Sequence, residues 1–123
     1  MNNKDLNVLT LAYLGDSIYE IYIRNYLIEN NIIKVKELQE KAIKFVSAKA
    51  QCDYIHKLLD INFFNDIELN IIYRARNHKS HKSKSTDIVT YKYSTALEAV
   101  IGYLYLEKNY NRIKEIMKTI VGD

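Results

Sequence analysis

Two carboxylates stand in stretches that otherwise suit a buried helix. Asp16 lies in the run from Leu11 to Tyr19 (LAYLGDSIY), and Glu98 in the run from Ser94 to Gly102 (STALEAVIG). If these stretches pack together, the two acids repel and each loses hydration, so something must compensate. A hard divalent cation does this well. Mg2+ commonly takes one or two protein carboxylates and keeps waters and phosphate oxygens as its other ligands, which suits phosphodiester hydrolysis through a metal-activated water. The residues alone leave a second reading open, in which Asp16 pairs with Arg24 or a lysine and Glu98 with another base.

The elements that must position these acids are legible in the spacing. From Leu6 to Ile28 apolar residues fall on nearly every side of the helical projection, as in a helix packed inside a bundle. Asp16, Ser17, Glu20 and Arg24 make a narrow polar stripe on it, with Asp16 and Glu20 on one face. A second very apolar helix is predicted from about Val89 to Lys108, capped by Thr86 or Asp87, with Thr95, Glu98 and Gly102 on one side. Gly15 adjoins Asp16, although a mid-helix glycine costs about 1 kcal/mol relative to alanine. Each glycine permits close helix approach, which would let Asp16 and Glu98 face one another.

The rest of the chain reads as helix too. Val35 to Ala48 and Lys49 to Leu59 give two amphipathic helices with a break near Ser47. Asn65 with Glu68 three residues later forms a capping-box start for a helix to about Asn77. Asn109 or Asn111 can cap a last amphipathic helix ending near Gly122. With no proline and three glycines among 123 residues, the punctuation for many short strands is missing. An all-α fold in a single domain, residues 1–123, is expected, and its 48% hydrophobic composition suffices for one core.

Charge is concentrated. The chain holds 18 Lys and Arg against 15 Asp and Glu; residues 74–84 (RARNHKSHKSK) hold five of the bases and no acid, leaving 13 against 15 elsewhere. A local basic cluster is the footprint of a polyanionic partner, although such a run is also met as a merely solvated loop. An A-form RNA duplex is read through phosphates, 2′-hydroxyls and shape, which calls for cationic and polar groups. Arg74, Arg76, Asn77, His78, Lys79, Lys82 and Lys84 meet that demand. The stretch His78 to Thr90 is expected to be a mobile surface loop.

Other groups carry less. His78 and His81, with Cys52 on another helix, do not make a zinc site. Cys52 is expected to be a small buried residue; as the lone cysteine it has no internal disulfide partner. The N-terminal MNNKDLNVLT lacks a signal core, so a cytoplasmic location is expected. The stretch Ala99 to Leu106 falls far short of the roughly 20 apolar residues that span a bilayer, and no membrane role is indicated. Tyr13, Tyr19, Tyr22 and Tyr26 read as core or dimer contacts. Glu37 and Glu40 resemble half of the acidic helix motif of all-α nucleotide pyrophosphohydrolases, but neighbouring Lys36, Lys41 and Lys44 favour a solvated face.

LAYLGDSIY resembles the signature of the ribonuclease III family, built on Leu-Gly-Asp, and STALEAVIG resembles its second motif, a glutamate before alanine, two apolar residues and glycine. YLGDSIYEIYIR, YRARN and TYKYSTALEAVIGYLYL extend the likeness to the branch without a double-stranded-RNA-binding domain, Mini-ribonuclease III. The resemblance implies the all-helical endonuclease-domain bundle and a homodimer with two sites, each cutting one strand of double-stranded RNA. It implies catalytic, Mg2+-binding roles for Asp16 and Glu98, and a dimer contact through Tyr13. It further implies a base-paired stem of precursor 23S ribosomal RNA as substrate. The chain departs from the larger enzymes at Leu9, Ala12 and Thr95, where they carry acids, so its site is poorer in carboxylates. Glu20, on the face of Asp16, is a weak substitute candidate and reads more readily as a polar or ion-pairing residue. Intact Asp16 and Glu98 argue against the rival reading of a non-catalytic RNA-binding module.

Overall fold

Among the described residues, polar side chains cap the start of every α-helix except the one that begins at Val35. Asn7 accepts from the Leu9 amide at 2.8 Å, which starts the first helix at Val8 and leaves Leu6 outside it. Ser47 ends one helix and caps the next through Oγ to the Ala50 amide, 3.2 Å. Asn65 and Glu68 make the reciprocal capping box, both bonds at 2.9 Å. Asp87 caps through the Thr90 amide and Asn109 through that of Arg112. Gly122, at φ 84°, ends the last helix in the left-handed conformation that favours glycine.

The computed structural model describes residues 2–78 and 87–122. Among them are six α-helices and no strand: α1 Val8–Glu29, α2 Val35–Val46, α3 Ala48–Asp60, α4 Asp66–Arg76, α5 Ile88–Leu106 and α6 Tyr110–Val121, with a short 3-10 turn at Asn3–Asp5 before them. The fold is all-α, as expected. Of the expected loop from His78 to Thr90, residues 79–86 lie outside the described residues, and 88–90 belong to α5.

Helix α5 is the centre of the bundle, packed against α1, α3, α4 and α6. From Ser94 to Leu104 every residue but Glu98 is buried, which is why this stretch is apolar on all sides. α2 has no fully buried residue and leans on the core through Leu38, Ala42 and Phe45. One ion pair is internal: Glu68 is 0% exposed and accepts from Arg112 Nη2 at 2.8 Å and Nε at 3.0 Å. Arg112 also donates to the Phe63 carbonyl and lies over that ring, 3.9 Å from its centre, tying α6 to the start of α4. Cys52 is half-buried instead of inside the core, with Sγ 3.6 Å from His56 Nδ1, because it lies towards the edge of the α3 face that buries Gln51, Ile55 and Leu58. No described helix is long and apolar enough to cross a membrane.

Candidate active site

Glycine brings the two acid-bearing helices into backbone contact. A Cβ on Gly15 would lie 1.7 Å from the Glu98 carbonyl oxygen, and one on Gly102 would lie 2.0 Å from that of Leu11. Only hydrogen fits at either place. Asp16 follows the first glycine and is exposed; Glu98 stands one turn before the second and is half-buried. The crossing therefore sets the two carboxyl groups side by side, as the spacing of glycines and acids predicted.

Their electrostatics follow from that placement. Burial, then the hydrogen bond with Asp16 and its negative charge, push the Glu98 carboxyl up to about 8, while a hydrogen bond from Gln51 acts in the opposite direction. Among the described residues no Lys, Arg or His forms an ion pair with either acid. Arg24 pairs with Glu20 at 3.2 Å, so Glu20 takes the ion-pairing part expected of it and Asp16 is left without that base. Two hard oxygen donors with no cationic partner fit a divalent cation. Among the described residues no group of three or more His, Cys, Asp or Glu could hold a metal, so an ion here would draw its other ligands from solvent and substrate.

Neighbouring residues shape the pair. Thr95 turns its hydroxyl onto its own helix, donating to the Tyr91 carbonyl at 3.0 Å; Leu9 is exposed and Ala12 buried, so none of the three replaces a missing acid. Tyr19, in the core, donates to the Phe45 carbonyl at 2.6 Å. Burial, then Tyr54 and Glu98, push its hydroxyl well above the ordinary tyrosine value. Sequence reasoning missed Gln51. It is 2% exposed, accepts from Ser94 Oγ and donates from Nε2 to Glu98 Oε2 at 3.5 Å, the outer limit of a hydrogen bond. Its only sequence signal was a long polar side chain on the inward side of an amphipathic helix.

The residues expected to grip RNA divide into distinct settings. Arg74 donates to the carbonyls of Lys4 and Leu6, both at 2.5 Å, and so fastens the N-terminal segment to the end of α4. Arg76 is exposed, its guanidinium 5.1 Å from the Tyr73 ring centre. Asn77 is the exposed C-cap of α4, and His78 is half-buried beside it. Lys79, Lys82 and Lys84 lie outside the described residues. Tyr13 is 84% exposed on α1. Glu37 and Glu40 are both exposed on α2, as a solvated charged face requires.

Comparison with known proteins shows the family. The ribonuclease III domain matches residues 9–109. Mini-ribonuclease 3 of Staphylococcus aureus is 44% identical over 119 residues, covering 96% of this chain and 89% of the relative. Mini-ribonuclease 3 of Clostridium tetani is 42% identical over 97% of this chain and 79% of its own. A crystal structure from Fusobacterium nucleatum superposes with a TM-score of 0.88 at 34% identity, over 97% of this chain and 96% of that one. With a domain match over most of its length and relatives above two-fifths identity, the chain belongs to the ribonuclease III family, in the branch whose members are named Mini-ribonuclease 3.

Proposed function

We propose that the whole chain is one catalytic domain that works as a cytoplasmic homodimer and hydrolyses double-stranded RNA with Mg2+ held by Asp16 and Glu98. The observation that carries this reading is the pair itself: two carboxylates brought together by glycine contacts, one exposed and one recessed, with no basic partner among the described residues. When bound, Mg2+ supplies neutralisation of phosphodiester charge and a water of lowered pKa. Asp16 and Glu98 contribute hard oxygen ligands fixed on two core helices, so little reorganisation is needed when substrate arrives.

One chain offers one carboxylate pair, whereas a duplex has two strands. A twofold axis supplies the second pair in the matching orientation. Leu9 and Tyr13, one turn apart on α1 near the Asp16 side, are exposed apolar side chains that a second copy of the chain would cover. The RNA backbone is held by Arg76, Asn77, His78, Lys79, Lys82 and Lys84, with Arg74 bracing that surface through its bonds to Lys4 and Leu6. The family resemblance adds the substrate, a base-paired stem of precursor 23S ribosomal RNA.

The test is incubation of the purified chain with duplex RNA, single-stranded RNA and nucleoside triphosphates, with and without Mg2+. Only the duplex should be cut, and only with the cation. Asp16→Asn and Glu98→Gln should nearly abolish cleavage while duplex binding persists. Hydrolysis of triphosphates, cutting without a divalent ion, or near-native turnover by either variant would refute the reading.

A further inference from the structure

We propose that Gln51 is a positioning residue for this site: its carboxamide, set by Ser94, holds the Glu98 carboxylate beside Asp16, so that a divalent cation meets a preformed pair. The inference rests on the reading of Asp16 and Glu98 as cation ligands.

A primary amide that is 2% exposed is destabilising unless its donors and acceptor are used. Ser94 and Glu98 are one helical turn apart on α5, and Gln51 reaches from α3 to both. With a cation bound, Glu98 is ionised and can only accept, so the amide nitrogen must face it, which leaves the amide oxygen for the Ser94 hydroxyl. The Ser94 hydroxyl, donating to the amide oxygen, holds the carboxamide in that orientation. The corner from which Gln51 projects is itself held: the backbone N–H of Gln51 donates to the Ser47 carbonyl at 3.0 Å in the first turn of α3, and Tyr19 grips the Phe45 carbonyl just before that corner.

The choice of a neutral donor matters. A lysine or arginine in this place would orient Glu98 equally well, but would cancel the negative charge that draws a cation. An amide steers the Glu98 carboxyl without adding a positive charge, so a cation that displaces its proton meets both negative charges of the pair. Hydrogen-bond partners behind ligating carboxylates commonly contribute 10- to 100-fold, roughly, to metal affinity or activity.

The experiment uses the full chain and Mn2+ as probe, with binding followed by electron paramagnetic resonance in the absence of RNA. Duplex cleavage is measured in parallel across a Mg2+ titration. Gln51→Met keeps the length of the side chain and removes both hydrogen bonds. It should weaken Mn2+ binding roughly 10- to 100-fold and raise the Mg2+ needed for half-maximal cleavage by a similar factor. At saturating Mg2+ the rate should recover and KM for duplex should stay at the parent value, which a merely structural defect would not produce. Ser94→Ala frees the amide to rotate and should shift both readouts in the same direction by a smaller factor; it decides the matter alone if Gln51→Met does not fold. Parent-like Mn2+ affinity in the folded variants overturns the proposal, as does a loss of rate that high Mg2+ leaves unrestored. Asp16→Asn separates the two levels. If it loses Mn2+ binding while Gln51→Met retains it, only the role of Gln51 falls; if it binds Mn2+ like the parent, the assignment of the cation site falls first.

Discussion

Replacing Gly15 by alanine tests the helix crossing on which the site depends. The added Cβ would stand 1.7 Å from the Glu98 carbonyl oxygen, whereas a carbon–oxygen contact needs about 3.4 Å, so α1 and α5 must separate locally by roughly 1.7 Å. The atoms in the way are the helix backbone of Glu98 and Gly102, which cannot swing aside. Overpacking of this kind costs about 1–3 kcal/mol, here towards the upper end, and the better helix propensity of alanine returns about 1 kcal/mol. A net loss of about 2 kcal/mol corresponds to a fall of about 8 °C in Tm, from an unfolding entropy of about 2.1 cal/mol/K per residue. The effect on cleavage should be larger in proportion, because a displacement of about 1 Å between reacting groups can cost about 100-fold. Thermal melts and single-turnover cleavage of duplex RNA measure the two effects. Asn25→Ala, at an exposed position of the same helix, should change stability by no more than about 0.5 kcal/mol. A Gly15→Ala protein that melted and cut like the parent would show that glycine does not set the spacing of the acids.

Three further outcomes are expected. Glu98 is held at about 8 against an ordinary 4.5, so its folded form favours the proton; metal-free stability should fall as pH rises from about 4.5 to about 8 and level off above, and the gain in Tm from added Mg2+ should be larger at pH 8 than at pH 6 and vanish in Glu98→Gln. An equal Mg2+ shift at both pH values would contradict this. Tyr13→Asp should place a charge in the proposed dimer contact, giving monomers in sedimentation and loss of double-strand cuts; an active dimer would move the interface elsewhere. Changing Arg76, Lys79, Lys82 and Lys84 together to alanine should weaken duplex binding and flatten its salt dependence, by about 0.9 in log–log slope for each phosphate that is no longer neutralised, with slow Mg2+-dependent cleavage still detectable; unchanged affinity and slope would place the binding surface elsewhere.

What could be read in the sequence was what local rules govern. The caps at Asn65, Asp87 and Asn109 and the break at Ser47 depend on side chains within a few residues of the amides they serve. The meeting of Asp16 with Glu98 was also legible, because each acid has a glycine at the spacing that close packing requires. Partnerships across the fold were not. Glu68 was readable as a capping residue, but its burial against Arg112 joins residues 44 apart, and nothing at either place marks the other. Arg74 and Arg76 look equivalent in YRARN, yet the first is taken up by two backbone carbonyls at the far end of the chain and the second faces solvent. Gln51 carries no local mark of its role, because its partners Ser94 and Glu98 lie 43 and 47 residues along the chain.

The corner at Ser47 bears on how this chain can change over time. One residue serves as the end of α2 and the cap of α3, so the corner has no spare length. A helix turns by roughly 100° per residue, and a single codon gained or lost between Ser47 and Gln51 would swing that amide around α3 and away from α5. The joins at residues 30–34 and 61–65 contain several non-helical residues and can absorb such an event. Insertions and deletions in descendants of this sequence should therefore collect in those joins and spare the α2–α3 corner, which acts as a fixed-length ruler between the surface of the bundle and its centre.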